Sequence, residues 1–206
     1  MGRVAILIDN MYLQHIQDEF QTGRIDIAKL PQVLLRAGED HHRTWVFDAL
    51  PYVPLNATQE QIARKDDKHR YLNALQYKER ITVEQGVVRP KLTECYKCGA
   101  QFQVPVQKLV DVLISVRLVQ LAFSDSVDRI VLVSGDADLL PAVEAAEESN
   151  TTIRLAYVEE GHVRTAKALI RKCPEKHQLT SADLSACKYV TPPLTGAMRT
   201  SDRVGG

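Results

Sequence analysis

Short runs of β-branched and apolar residues alternate with helical segments along this chain of 206 residues, and this alternation constrains the fold most. Continuous apolar runs are typical of parallel strands that are covered on both faces. Strands that alternate with helices form parallel βαβ units. The pattern therefore predicts an α/β fold, a three-layer α/β/α sandwich with a central, mostly parallel sheet. The predicted strands are residues 4–8, 43–49, 81–88, 129–133 and 152–158.

The segments between these runs set the expected domain organisation. Asp26 is expected to cap a helix that ends at Gly38. Another helix is expected to begin at about residue 11, and further helices are expected over residues 58–78, 105–123, 139–148 and 164–171. A loop over about residues 92–104, which contains Cys95 and Cys98, is interpreted as an insertion. Residues 191–206 are rich in Pro, Gly, Ser and Thr and predict a disordered tail after one domain of residues 1–190.

Composition limits the classes of function. The 26 Lys and Arg residues balance 26 Asp and Glu residues, so net charge gives no argument for binding nucleic acid, and such a site needs local charge segregation. The first strand is too short for a signal-peptide core, and no apolar run is long enough to span a bilayer. We therefore expect a cytoplasmic protein without membrane contact, whose four cysteines are free thiols or metal ligands.

Acidic residues follow two of the predicted strands. Asp9 and Asn10 follow the first, and Asp136 and Asp138 follow the fourth. Ligands of parallel sheets bind beyond the carboxyl ends of the strands, and neighbouring carboxylates either raise a pKa or recruit a cation. Oxygen ligands suit Mg²⁺ or Mn²⁺. Helix capping by Asp9 or Asp138 and turn formation by Asn10 are the structural alternatives.

A further carboxylate lies at the start of the predicted helix 105–123. Asp111 is surrounded in sequence by apolar residues, where a carboxylate is costly without a partner. The helix N-terminus alone is one such partner. Lys108 is expected one turn earlier on the same helix face, where it positions a phosphate or pairs with Asp111.

The order and spacing of these motifs resemble the NYN branch of the PIN-like nuclease superfamily, and more closely its bacterial LabA-like group. The resemblance covers about residues 3–160, and residues 47–51 are similar to that group's second strand. The segments that carry it are Ile6-Leu7-Ile8-Asp9-Asn10, Lys108-Leu109-Val110-Asp111-Val112 and Leu132-Val133-Ser134-Gly135-Asp136-Ala137-Asp138.

This resemblance implies a metal-dependent endoribonuclease that hydrolyses RNA, single-stranded RNA above all, and leaves 5′-phosphate ends. Asp9, Asp111 and Asp136 match the family's acidic positions and would hold Mg²⁺ or Mn²⁺. Asp138 and Asn10 match secondary positions, and Ser134 matches the family's strand-end hydroxyl.

One departure from the family pattern bears on catalysis. Many members carry a further acid along the helix after Asp111, where this chain has Arg117. The resemblance then implies one metal ligand fewer. It leaves open a single-metal site or a non-catalytic NYN-fold module that binds RNA or has a regulatory role.

The segment Cys95-Tyr96-Lys97-Cys98-Gly99 has the spacing of half a structural zinc site. Cys173 and Cys187 are the candidates for the remaining ligands, with His162 and His177 as substitutes. The alternative is a pair of free surface thiols.

Basic residues form a segment without acids between Gly161 and Cys173. Within it, Arg164 and Lys167 are the candidates for contact with an RNA backbone. An ordinary solvated helix face is the alternative, and a homo-oligomer is left open.

Overall fold

The computed structural model describes residues 2–159 and 161–189, so the predicted tail over 191–206 lies outside the described residues. Seven strands are found in the described ranges: β1 Gly2–Asp9, β2 Glu39–Ala49, β3 Ile81–Glu94, β4 Gln101–Lys108, β5 Arg129–Val133, β6 Thr152–Tyr157 and β7 Glu175–Gln178. The α-helices are α1 Asn10–Glu19, α2 Pro31–Leu34, α3 Gln59–Gln76, α4 Val110–Ala122, α5 Leu140–Ala146, α6 Lys167–Lys172 and α7 Ser181–Ala186.

The strands form one sheet in the order β4-β3-β2-β1-β5-β6-β7. All neighbouring pairs are parallel except β3 and β4, which are antiparallel. The predicted α/β architecture with a mostly parallel sheet is therefore confirmed. Since β1 lies between β2 and β5, the carboxyl ends of these three strands meet at the middle of one sheet edge.

Successive residues of the central strands point into two separate cores, one on each face of the sheet. Ile6 and Ile8 pack with α1 and α3 on one face, whereas Leu7 packs with α4, α5 and α6 on the other. All three side chains are fully buried, which stabilises the fold by roughly 1.5–3 kcal/mol each. This alternation explains why residues 4–8 of β1 and 130–133 of β5 are all apolar and why helices cover both faces.

The structure corrects the prediction for residues 92–108. A β-hairpin replaces the predicted loop, with Val87–Glu94 of β3 paired to β4. The predicted helix 105–123 was wrong at its start, because Pro105 lies within β4 opposite Pro90 and α4 begins at Val110. Both prolines lack an N–H group, which a strand at the edge of a sheet tolerates.

Two other predictions needed correction. The helix expected after Asp26 is reduced to a 3₁₀ turn, Ile27–Lys29, and the short α2. Strand β7 was not predicted, because its sequence Glu-Lys-His-Gln carries no apolar run. In the part of the chain that the structure describes, no helix has the length and apolar character to cross a membrane.

A buried ion network holds the amino-terminal edge of the sheet. The fully buried Arg154 of β6 donates hydrogen bonds to Glu39 at 2.6 and 2.9 Å and to Glu175 at 2.9 Å. Burial of Glu39 opposes its ionisation, but hydrogen bonds and charge from Arg154, with the charge of Arg129, lower its pKa to about 2. The network anchors β6 far from the strand ends that carry the acidic residues.

Candidate functional site

Asp9 ends β1 and begins α1. Its Oδ1 atom accepts hydrogen bonds from the backbone N–H groups of Met11 at 3.0 Å and Tyr12 at 3.2 Å, so this side chain caps the helix. Burial nevertheless raises the pKa of Asp9 to about 6, and the charges of Asp111 and Asp48 add to that rise. Asp9 therefore combines the capping role with the electrostatic strain expected in a cluster of carboxylates.

Ser134 connects the ends of β1 and β5. Its buried hydroxyl donates to Asp9 Oδ2 at 3.5 Å and accepts from the backbone N–H of Asp136 at 3.3 Å. The Asp136 side chain accepts from the backbone N–H of Asp138 at 2.9 Å and caps a 3₁₀ turn, Ala137–Leu139. The capping role considered for Asp138 thus belongs to Asp136, and both carboxylates are exposed.

Asp111 brings a third segment of the chain to the same edge. It lies in the first turn of α4 and is half-buried. Burial raises the pKa of Asp111, and the charges of Asp136 and Asp138 raise it further. Because Asp111 also raises the pKa of Asp9, the acids of β1, α4 and the segment after β5 form one electrostatically coupled group.

The start of α4 packs closely against β3. A Cβ atom added at Gly86 would lie 2.6 Å from both the Lys108 carbonyl oxygen and Val110 Cγ2, so glycine permits the close approach. Leu109 turns the chain with a φ angle of 73°, a left-handed conformation that costs of order 1–3 kcal/mol. Lys108 therefore ends β4, which corrects the prediction that it shares a helix face with Asp111.

Asp48 is a buried acid beside this group that the sequence predictions missed. Its Oδ2 atom lies 2.6 Å from Lys68 Nζ and accepts a hydrogen bond from the Asn10 side chain, while Oδ1 accepts from the backbone N–H of Ala49 at 2.7 Å. The side-chain oxygen of Asn10, Oδ1, is buried without a hydrogen-bond partner. Asp48 is thus neutralised by Lys68, whereas Asn10 offers an unused acceptor.

Arg117 pairs with Glu84 of β3, with contacts of 2.6 and 2.9 Å. Its guanidinium lies over the ring of the buried Trp45, at 5.6 Å from the ring centroid. Arg117 lies six positions after Asp111, which is about 9 Å along an α-helix. Arg117 is therefore held by its own acidic partner.

The segment before α6 lies next to the loop that carries Asp136. The backbone N–H of Ala166 donates to the carbonyl of Gly135 at 2.9 Å. An added Cβ atom at Gly135 would lie 2.9 Å from the carbonyl oxygen of Arg164. The exposed side chains of Arg164 and Lys167 therefore flank the acidic edge from the β6 side.

Comparison with known families decides the classification. The NYN domain family matches residues 3–180. The chain belongs to the NYN domain family. Among solved structures, this NYN domain is similar to a protein of unknown function, VPA0982, from Vibrio parahaemolyticus, with 18% identity and a TM-score of 0.50 over 85% of this chain and 91% of that chain. At that identity the likeness concerns the fold alone. No curated protein matches the sequence.

The acidic group of the NYN domain has the donor chemistry of a site for Mg²⁺ or Mn²⁺. Asp9, Asp111 and Asp136 supply carboxylate oxygens, and Asn10 supplies the buried unpartnered oxygen. Over residues 2–159 and 161–189, no three His, Cys, Asp or Glu side chains are already arranged around a metal position. Binding a cation therefore requires these side chains to turn towards one another.

The NYN domain does not bring its four cysteines together. Cys95 and Cys98 lie in the turn of the β3–β4 hairpin, and both are free thiols. Cys173 is buried in the core on one face of the sheet, and Cys187 is buried in the core on the other. The predicted four-cysteine zinc site within one chain is not formed, because the sheet separates two of its ligands.

Proposed function

We propose that this NYN domain is a metal-dependent endoribonuclease of the LabA-like group that hydrolyses RNA phosphodiester bonds at the carboxyl edge of its sheet. The observation that supports this most is the coupling of Asp9 and Asp111, whose pKa values are both raised by burial and by neighbouring carboxylates. Ionisation of such a group brings several negative charges together, and a nearby positive charge stabilises the ionised form. A divalent cation and a phosphodiester backbone together meet that requirement.

In this proposal Asp9, Asp111 and Asp136 hold one Mg²⁺ or Mn²⁺. When bound, the ion activates water and neutralises charge that develops on the phosphate. Ser134 keeps Asp9 oriented through its hydrogen bond of 3.5 Å. Asp138 is exposed beside Asp136 and is suited to hold a water molecule of the site.

The substrate backbone is proposed to run past the basic residues that flank this edge. Arg164 and Lys167 on one side and Lys108 on the other are exposed and make no ion pair within the described part of the chain. Phosphate groups interact favourably with such side chains, whereas the acids between them disfavour a phosphate unless a cation is present. Single-stranded RNA is the proposed substrate.

The alternative is a non-catalytic NYN module that binds RNA or regulates a partner. It is favoured by the lack of a ready-made group of three metal ligands within the described residues. Arg117 supports this alternative as well, because its side chain supplies no metal ligand and is held by Glu84. RNA binding is compatible with both functions, so only hydrolysis separates them.

The test is a cleavage assay on end-labelled single-stranded RNA with Mg²⁺ or Mn²⁺, with and without EDTA. We expect cleavage by the wild type, none by Asp111→Asn, and full cleavage by Asp125→Asn. Asp125 is an exposed acid before β5, at the opposite edge of the sheet, and is the matched control. Equal cleavage by Asp111→Asn and wild type, or cleavage that EDTA leaves unchanged, would contradict the proposal.

A further inference from the structure

The β3–β4 hairpin extends beyond the carboxyl edge of the sheet. Pairing of β3 with β2 ends at Gly86, and from Val87 onward β3 pairs with β4 alone. The eight residues of β4 correspond to an arm of about 25 Å. Two-stranded ribbons are marginally stable in water, and this one exposes Leu92 at 61% and Phe102 at 48%. The arm therefore lacks the support that the rest of the sheet receives from helices.

The turn at the end of this arm contains Cys95 and Cys98. The backbone N–H of Cys95 donates to the Ala100 carbonyl at 2.9 Å, and that of Gly99 donates to the Cys95 carbonyl at 2.8 Å. Gly99 has a φ angle of 70°, a conformation that favours glycine. Cys98 is exposed and Cys95 is partly exposed, and both are free thiols. The turn thus places two accessible thiols at the tip of the arm.

One chain offers only half of a tetrahedral metal site. A structural zinc ion takes four ligands. Cys173 and Cys187 are buried in different cores, and no third His, Cys, Asp or Glu side chain joins the pair in the described ranges. The sequence of residues 190–206 contains no Cys or His. Two thiols from a second molecule would complete the four ligands.

We propose that Cys95 and Cys98 bind one Zn²⁺ together with Cys95 and Cys98 of a second copy of this chain. Four thiols release four protons and bind one Zn²⁺, which leaves a net charge of −2 on the site. Lys97 of each copy lies between the two cysteines in sequence and brings positive charge to the same turn. The paired arms also cover apolar surface that each arm exposes alone.

The experiment measures zinc content and molecular mass of the full chain in reducing buffer, before and after chelation. We expect one Zn²⁺ per two chains, twice the single-chain mass of 23.1 kDa, and dissociation to single chains when the metal is removed. Replacement by Co²⁺ should produce the charge-transfer absorption of a tetrathiolate centre. These readouts do not depend on RNA cleavage, so the inference stands or falls separately from the proposed nuclease activity.

Two variants in the same turn test whether the cysteines hold the zinc and the dimer. Cys95→Ser combined with Cys98→Ser should bind no zinc at this site and remain a single chain with an unchanged far-UV spectrum. Tyr96→Ser alters an exposed residue between the two cysteines and should keep both zinc and the dimer. One zinc ion per single chain, single chains without zinc, or a dimer that survives chelation would each overturn the proposal.

Discussion

Replacing Asp9 by Asn should make the metal-free protein more stable. The pKa of Asp9 is raised from 3.8 to about 6, mainly by burial. At pH 7 the folded chain therefore carries an ionised carboxylate that its surroundings disfavour by roughly 3 kcal/mol. Asn is nearly as good a helix cap as Asp and retains an oxygen for the N–H groups of Met11 and Tyr12. We expect Asp9→Asn to gain about 2–3 kcal/mol of unfolding free energy.

The pH dependence of this gain follows from the direction of the pKa shift. Because the pKa of Asp9 is higher in the folded chain than in the unfolded chain, its ionisation destabilises the fold. This destabilisation is complete above about pH 6 and absent below about pH 3.8. The difference between Asp9→Asn and wild type should therefore shrink as the pH falls from 7 to 4. The pKa shifts of groups that do not interact with Asp9 are common to both proteins and cancel in the difference.

Urea denaturation with EDTA at pH 7 and pH 4 measures this difference, with Asp125→Asn as the control that should match wild type. Mn²⁺ should then stabilise the wild type more than Asp9→Asn, by about 2.7 kcal/mol at a hundredfold excess over the dissociation constant. An Asp9→Asn variant that is equally or less stable than wild type at pH 7 would refute the electrostatic reasoning. A gain of equal size at both pH values would refute it as well.

Three further changes test other parts of the structure. Glu39→Gln should lower the free energy of unfolding by about 3 kcal/mol at pH 7, as measured by urea denaturation. This loss should disappear as the pH falls from 4.5 towards 2, because the wild-type carboxylate is protonated over that range. A loss that does not depend on pH would count against the network. Lys68→Met should lower the free energy of unfolding by about 3–5 kcal/mol, because it leaves Asp48 buried without its cation. Adding Asp48→Asn should recover most of that loss. No recovery would argue against the ion pair. Gly135→Ala should lower the free energy of unfolding by about 1–3 kcal/mol and reduce RNA cleavage, because the new Cβ would lie 2.6 Å from the tyrosine ring of α1. Gly2→Ala is the control, because its new Cβ would lie 3.9 Å from the nearest neighbouring atom. It should match wild type in both assays.

The parts of the site that follow directly from strand ends were predictable from the sequence. Asp9 and Asp136 follow continuous apolar runs, and adjacent parallel strands bring such residues to one edge. Asp48 carried the same signal, since it follows the buried residues of β2, and could have been found by the same argument. Its partner Lys68 could not, because that contact depends on how α3 packs across the sheet.

The hairpin was missed because its sequence lacks the signals of a buried strand. Strand β4 contains Pro105 and mostly exposed side chains, so hydrophobic periodicity favoured a loop followed by a helix. The separation of Cys173 and Cys187 was equally hidden, because it depends on which face of the sheet each residue's element packs against. Long-range packing, which local patterns do not encode, accounts for the second difference, and the exposure of the hairpin accounts for the first.

Calorimetric titration of the metal-free protein with Mn²⁺ tests the central claim most directly, because the claim concerns which side chains hold the cation. In a background carrying Cys95→Ser and Cys98→Ser, to remove thiol binding, one Mn²⁺ should bind per chain. Asp111→Asn should abolish that binding, and Asp125→Asn should leave it unchanged. Unchanged Mn²⁺ binding by the Asp111→Asn protein, or no binding by the parent protein, would contradict the account.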